Sequence, residues 1–528
     1  MPLQPSASPP ACVHVASRTS LAAFSGRRIG SLTVVTQAPP ALAGHGTPVD
    51  RIHVRTREGT VRRLLLLVPG DTVDTLRVAE SLRRVRRQRY LQDAVVEGMA
   101  CGGLDGPVAL TVTTRDDWST KPSVQVRSAS SSVGMTERNV LGTGRELSAY
   151  VRSDAGRVGV GASLRDPWLV DSPLSAELAF DTYADGHAWY AGLGTRVQDP
   201  RDPFRATLGV RARTQFPPDG SGIAVRQTAG QALASVRVRL GTTAVTSVLG
   251  GLEVDRTRLV AAVDELVLGP GAVRRDFRGV DVGLARTALK YDTLTWMLPS
   301  ARIVDVPTTP EGEMTLGVGR DMATGSPALH LDLWAGRAWR VGDGALVVAD
   351  VWSGGFVEQR RMEAGTLRGT VTAWRDAGRG LWTARLSAER LWNPDPTVRA
   401  LASLDPTAPA LPPVVRLARV ATAAQLERSV PLVSATRSWS IAGTGFVAGS
   451  LRWRPAARGL LPEAEQVGIA SMGLGIGLTP NKPGRGGARL DVAYPVLAPP
   501  GALHRPYVML SLSPWFQEGR RRVGIAPH

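Results

Sequence analysis

ERNVLGTGRELSAYVRSDAGRVGVGASLRDPWL, residues 137–169, decides the fold, because it reads as a connector followed by a hairpin of strands with strict two-residue alternation. From Arg157 to Arg165, the side chains of Val158, Val160, Ala162 and Leu164 fall on one face. Arg157, Gly159, Gly161, Ser163 and Arg165 fall on the other. A strand with one aliphatic and one polar face suits a boundary between lipid and water. Asp154, Ala155 and Gly156 separate it from the preceding strand, ELSAYVRS, and supply the turn chemistry of a tight hairpin. Such strands predict a membrane barrel.

The same stretch resembles a known family, the outer-membrane assembly proteins of the BamA and TamA type. In that family a soluble POTRA module leads into a connector ending in N-(F/L)-L-G-x-G, then a first barrel strand, a turn, and a second strand ending in D-P. Asn139, Leu141, Gly142 and Gly144, with Val140 and Thr143 between them, match the first motif. Asp166 and Pro167, followed by Trp168, match the second. The resemblance implies an α+β POTRA module followed by a transmembrane antiparallel β-barrel of the bacterial surface antigen type. It implies the boundaries 1–26 for an N-terminal tail, 27–118 for the module, 119–516 for the barrel and 517–528 for a C-terminal tail.

Composition is compatible with this and with a soluble multidomain protein, at 528 residues, 57 Gly, 38 Pro and a mean hydropathy of −0.04. The longest obvious apolar run, Leu64 to Val68, is far short of the roughly 20 residues a membrane helix needs. A barrel strand needs only about ten alternating residues, so near-neutral hydropathy does not argue against one. The net charge of +17 comes almost entirely from arginine, lysine standing only at Lys121, Lys290 and Lys482. The arginines run along the whole chain rather than clustering in one recognition element, which argues against nucleic acid as a partner. A basic lumen or rim that pairs lipid phosphates through arginine forks stays open, beside the bland alternative of genome composition.

Cys12 and Cys101 belong to no C-x-x-C or His-containing metal pattern, so no metal site is expected. In an exported chain the two are candidates for a disulfide tying the N-terminal tail to the soluble module, the alternative being two unpaired thiols. Met1 to Ser20 has no basic start followed by an apolar core, so no signal peptide is visible, and the reading favours a missing upstream segment. No hydrophobic run precedes Cys12, and lipidation is not expected.

Between Arg27 and Asp116 the pattern runs strand, helix, helix, strand, strand. Arg28 to Thr36 is an opening strand rich in β-branched residues. Thr56 to Val68 sets Val61, Leu64, Leu65 and Val68 at helical spacing, stopped by Pro69, Gly70 and Asp71. Asp74 to Ala94 gives a second helix, with Leu76, Ala79, Leu82, Val85, Tyr90 and Leu91 as its apolar stripe. Arg83, Arg84, Arg86 and Arg87 fall on its outer face, expected to be solvated. Val95 to Ala100 and Pro107 to Thr114 close the sheet. This order, with VRRLLLLVPGD and RYLQDA, resembles a single POTRA domain. The resemblance implies capture of polypeptides or accessory proteins by strand addition to an exposed sheet edge.

From Ser123 to Phe516 short alternating segments are separated by Gly, Pro, Asp and Asn clusters. Leu174, Ala176, Leu178 and Phe180 oppose Ser175, Glu177, Ala179 and Asp181; Leu329, Leu331, Leu333 and Ala335 oppose His330, Asp332, Trp334 and Gly336. Glu177, His330 and Asp332 are expected to line a hydrated lumen rather than to catalyse. At roughly 24 residues per strand and loop, the segment holds about sixteen strands, an even number within the barrel range. Leu367, Arg368, Gly369 and Thr370, followed by ARLSAERLW, resemble the family's V-R-G-(F/Y) loop motif, whose arginine folds into the lumen; Phe277 to Val280, FRGV, competes for that role. GGARLDVAYPV, residues 486–496, resembles the penultimate strand. RPYVMLSLSPWF, residues 505–516, resembles the last, with Val508, Leu510, Leu512 and Phe516 sharing a face. A seam between it and Glu146 to Ser153 is expected.

No nucleophile elbow, zinc-protease helix or phosphate loop is present, so no enzyme activity, no catalytic residue and no cofactor is expected. The resemblance implies an outer-membrane protein with its module in the periplasm, which assists insertion or translocation of polypeptides. Its partners would be outer-membrane lipids, unfolded outer-membrane polypeptides and periplasmic accessory proteins. A structural or pore-forming barrel passing small solutes or lipid is the alternative, and a soluble arginine-rich β protein is a third.

Overall fold

The computed structural model describes residues 12–18, 21–39, 53–100, 106–126, 130–154, 157–169, 172–183, 186–195, 202–215, 223–261, 273–294, 304–393, 420–433, 439–453, 466–480, 487–497 and 505–513. The chain divides into two compact units, one of residues 1–121, 137–146 and 482–485, the other of residues 122–136, 147–481 and 486–528.

In the first unit, β1 (Val13–Ser17), β2 (Ile29–Gln37), α1 (Glu58–Arg62), α2 (Thr75–Arg86), β3 (Leu91–Ala100) and β4 (Val108–Asp116) form an α+β module. The sheet order is β1-β3-β4-β2, with β2 parallel to β4 and the other pairs antiparallel. Alternate residues of β4, Val108, Leu110 and Val112, are buried, as are Ile29 and Val34 of β2 and Val78, Leu82 and Val85 of α2. One sheet face and the helix stripe therefore make a single core. The strand-helix-helix-strand-strand order is present, but the helices are shorter than the periodicity suggested. The first stops at Arg62, and the amide of Leu66 is taken by Ser81 Oγ at 2.9 Å, which diverts the leucine run from helix continuation. The second starts where Asp74 caps it, its carboxylate accepting from the amides of Leu76 and Arg77. It ends at Arg86, and Leu91 already opens β3.

Two sequence expectations change here. The arginine row is buried rather than solvated: Arg83, Arg84 and Arg86 are only 5–7% exposed. Arg83 pairs with Glu80, and Arg86 Nη1 donates to the Arg18 carbonyl at 2.7 Å. Amphipathic spacing places charges opposite a core but says nothing of what covers them. The N-terminal boundary also moves, because β1 and the single turn Ala22–Phe24 lie within this compact unit, Leu21 and Phe24 being fully buried. Cys12 is disulfide-bonded, and Cys101 is the only other cysteine in the chain.

The barrel strands are β5 (Thr120–Val126), β6 (Ser130–Val140), β7 (Arg145–Asp154), β8 (Arg157–Asp166), β9 (Leu174–Tyr183), β10 (Gly186–Thr195), β11 (Phe204–Gln215), β12 (Ile223–Leu240), β13 (Ala244–Ala261) and β14 (Val273–Ala288). A small hairpin, β15 (Tyr291–Leu294) and β16 (Val304–Pro307), interrupts the run. There follow β17 (Glu311–Asp321), β18 (Ser326–Arg340), β19 (Ala345–Glu358), β20 (Arg361–Asp376), β21 (Leu381–Trp392), β22 (Val420–Val433), β23 (Trp439–Trp453), β24 (Gln466–Pro480), β25 (Gly487–Leu497) and β26 (Tyr507–Ser513).

Among the described residues, β5–β14 and β17–β26 close into one barrel of twenty strands, rather than about sixteen. Many connections are only two to four residues long, so each strand with its connection takes about 20 residues, fewer than the roughly 24 expected from the sequence. Neighbours in the ring are neighbours in sequence except across the β15–β16 hairpin and at the closure of β26 on β5.

The barrel wall is inverted relative to a water-soluble β protein. In β13, Leu252 and Val254 are 63% and 46% exposed, whereas Glu253 and Asp255 between and beside them are 8% and 3% exposed. In β24, Leu474 and Ile476 are 73% and 60% exposed, while Ser471 is buried. The quoted hairpin obeys the same rule: Val158, Val160 and Leu164 of β8 are exposed, as are Leu178 and Phe180 of β9. Such a surface minimises its free energy against hydrocarbon, not water.

Candidate functional site: the motif turn, the inner wall and the seam

Asn139, Leu141, Gly142 and Gly144 form the turn between β6 and β7, within the same compact unit as the α+β module. Asn139 is its hub, 2% exposed: Nδ2 donates to Thr56 Oγ1 at 2.8 Å, and Oδ1 accepts from the Gly144 amide at 2.8 Å. Thr56 in turn donates its amide to Asp116 Oδ2 at 2.8 Å, and His53 Nε2 lies 3.0 Å from the same oxygen. The Gly142 carbonyl accepts from the Arg57 amide at 3.0 Å and from Thr60 Oγ1 at 2.9 Å. Leu141 (φ 53°), Gly142 and Gly144 (both φ 75°) are left-handed. A Cβ on Gly142 would collide with the Arg55 carbonyl, and one on Gly144 with the Tyr90 hydroxyl. Both glycines are thus required for conformation and for close approach.

Asp166 closes β8, and its Oδ1 accepts from the Trp168 amide at 2.9 Å, an Asx-type turn across Pro167 that seats the buried Trp168 indole. Leu367, Arg368, Gly369 and Thr370 stand in the middle of β20 and not in a loop, which corrects the loop-anchor expectation. The stretch TLRGTVT alternates, with Thr366 and Thr370 buried and Leu367 and Val371 exposed, so it satisfies strand periodicity on both faces. Arg368 is in register with Glu389 of β21 and Trp352 of β19. The competing FRGV lies in a strand as well: Phe277 is buried, and Arg278 donates to Asp276 at 3.2 Å.

Two polar networks on the inner wall stand out among the described residues, and periodicity marked only part of them. In the first, His330 Nδ1 lies 2.6 Å from Glu253 Oε2, and the His330 ring stacks on Phe356 at 4.4 Å. Phe277 meets Phe356 edge-on, and the Arg275 guanidinium sits 4.1 Å from the Phe356 centroid while donating to Asp255 at 3.2 Å. Gln227 donates to Asp255 at 2.8 Å and Gln231 to Asp281 at 3.0 Å. Gly317 leaves room for the Asp281 and Glu253 carboxylates. In the second, Arg489 Nε bonds both oxygens of Asp491 at 2.7 and 2.8 Å, and Nη1 bonds both oxygens of Glu427 at 3.0 and 3.1 Å. His330 lines the interior as expected. Arg275, Arg489 and their acids were missed, since alternation names a face but not the cross-strand partner. Among the described residues no group of His, Cys, Asp and Glu is arranged to hold a metal ion.

The seam joins β26 to β5 rather than to Glu146–Ser153: Leu510 faces Val126, Ser511 faces Gln125 and Leu512 faces Val124. Two strands precede the N-L-G-x-G turn, so the ring begins earlier than the motif suggested. The pairing described at this closure is antiparallel, as throughout the ring. Val508 is exposed like the other outward aliphatics, and Leu510 and Leu512 share its strand parity; Phe516 and the C-terminal tail lie outside the described residues.

The fold and these sites define a closed antiparallel β-barrel with an aliphatic exterior and a polar interior, preceded in sequence by an α+β module. No protein-family model matches the chain, and no curated protein matches it. Among solved structures, CdiB from Escherichia coli is 11% identical with a TM-score of 0.44, over 95% of this chain and 80% of that one. BamA from Haemophilus ducreyi lacking POTRA domains 1–3 is 12% identical with a TM-score of 0.35, over 92% and 85%. CdiB from Acinetobacter baumannii is 12% identical with a TM-score of 0.37, over 92% and 74%. At these identities and TM-scores the likeness assigns no activity to the chain.

Proposed function

We propose that the chain is an outer-membrane barrel that assists insertion or translocation of polypeptides, with its α+β module a POTRA domain in the periplasm. Membrane residence is supported by the inverted wall, because exposed Leu474, Ile476, Leu252 and Val254 would be a costly surface in water. The observation that carries the assembly reading is the seam: the first and last strands of the ring, β5 and β26, close it through main-chain pairs such as Ser511 with Gln125, which a substrate strand can replace by the same bonding. The four-stranded sheet of the module supports capture of extended segments or accessory proteins by strand addition in the same mode, and the lipid bilayer is the other partner. No cofactor and no reaction at a catalytic centre is invoked.

The test is a cross-link of the seam in the register given, Gln125→Cys with Ser511→Cys. If the seam opens in function, oxidation of this pair should abolish the protein's support of barrel assembly in proteoliposomes, and reduction should restore it. The polar inner wall favours a second reading, a passive pore. In that case the oxidised double variant keeps its solute conductance, and its depletion leaves other barrels correctly assembled.

A further inference from the structure

β1 is an unusual strand to find in a folded module. Its five residues pair with β3 from Val13↔Ala100 to Ser17↔Val96, yet Val13, His14 and Ala16 are exposed and no residue of it is buried. Ion pairs at the surface accompany it, His14 to Glu97 at 3.7 Å and, just beyond its end, Arg18 to Asp93 at 3.1 Å. Main-chain pairing with β3 runs its whole length, a bond type indifferent to sequence. Two anchors flank it. On one side Cys12 is disulfide-bonded, with Cys101 directly following β3 as the only cysteine available to it. On the other, Arg86 grips the Arg18 carbonyl, and Leu21 and Phe24 are buried in the core. Phe24 lies over Gly98 of β3, where any Cβ would strike its ring.

We propose that β1 is a removable occupant of a strand-addition site on the β3 edge, latched there by the Cys12 disulfide, and that the incoming partner is an extended polypeptide segment paired through its backbone. The proposal rests on reading the module as a strand-capturing domain and adds the regulation of that site. With β1 in place the edge is filled by the chain itself. Opening needs a dithiol reductant. Its thiolate attacks one sulfur of the protein disulfide and expels the other as a thiol, and its second thiol then resolves the mixed disulfide. The reductant leaves as a disulfide, and Cys12 and Cys101 are left as two thiols. The Leu21–Phe24 anchor keeps the released segment tethered, so the latch can re-form on oxidation.

The experiment uses the full-length protein in detergent micelles, oxidised or treated with dithiothreitol. Hydrogen exchange is read at residues 13–17, and binding of a fluorescein-labelled peptide copying residues 12–18, with Ser for Cys12, is read by anisotropy. We expect the amides of residues 13–17 to lose at least about tenfold protection on reduction while residues 108–116 keep theirs. The peptide should bind the reduced protein and a Cys12→Ser variant, and not the oxidised wild type. Unchanged protection after reduction overturns the latch. Loss of protection with no peptide binding overturns the edge as a capture site. Neither outcome depends on barrel assembly, which the seam cross-link reads separately.

Discussion

Asn139, Gly142 and Gly144 show how a short motif is dictated by its surroundings. Gly142 meets a backbone carbonyl that has nowhere to go, whereas Gly144 meets the far end of a tyrosine side chain. Gly142→Ala should therefore cost about 3 kcal/mol and Gly144→Ala about 1–2, both including the left-handed penalty. Faster hydrogen exchange in residues 137–146, greater in the first variant, is the readout. Equal effects would contradict the distinction. Arg489 makes the complementary case on the inner wall, since it neutralises two neighbouring carboxylates at once. Arg489→Met should lower by several degrees the temperature at which the compact, unheated gel band is lost, consistent with about 3–5 kcal/mol for breaking a buried pair. Adding Glu427→Gln and Asp491→Asn to Arg489→Met should recover most of it. The motif residues were legible in the sequence because glycine and asparagine advertise unusual backbone. Arg489 was not, because its partners lie 62 residues away on another strand and in its own strand two residues on.

At the level of the element, strands were read better than helices. Period two survives in β8 and β9 because lipid and lumen impose opposite demands on successive residues. The module's helices were overextended because apolar spacing does not record where a hydroxyl, such as that of Ser81, will intercept an amide. Arg368 was misplaced for a related reason: L-R-G-T reads equally well as a turn or as strand, and only its neighbours decide. The inverted wall makes a direct prediction. Leu474→Ala, which would cost several kcal/mol in a protein core, should be nearly silent here, while Leu474→Arg should cost about 2–4 kcal/mol if that position lies near the bilayer midplane. Folding into lipid vesicles across a urea series measures both. A large loss for the alanine variant would mean that β24 faces protein rather than lipid.

For the molecule as a whole, closure was legible but its arithmetic was not, because connection lengths vary and the two strands before the N-L-G-x-G turn lack a strong signature. The ring has one feature that sets the order in which it can be made. Each strand pair other than the seam joins segments close in sequence, and such hairpins close quickly at small entropic cost. The seam must bring residue 126 to residue 510, across nearly the whole length of the barrel segment, before any of its pairs can form. Nearest-neighbour zippering should therefore run to completion before the ends meet. A newly made chain would then pass through a curled sheet with two free edges, β5 and β26, each able to template a foreign strand. The last contact formed is thus the one that governs both how long the chain is vulnerable to mispairing and how easily the finished ring reopens.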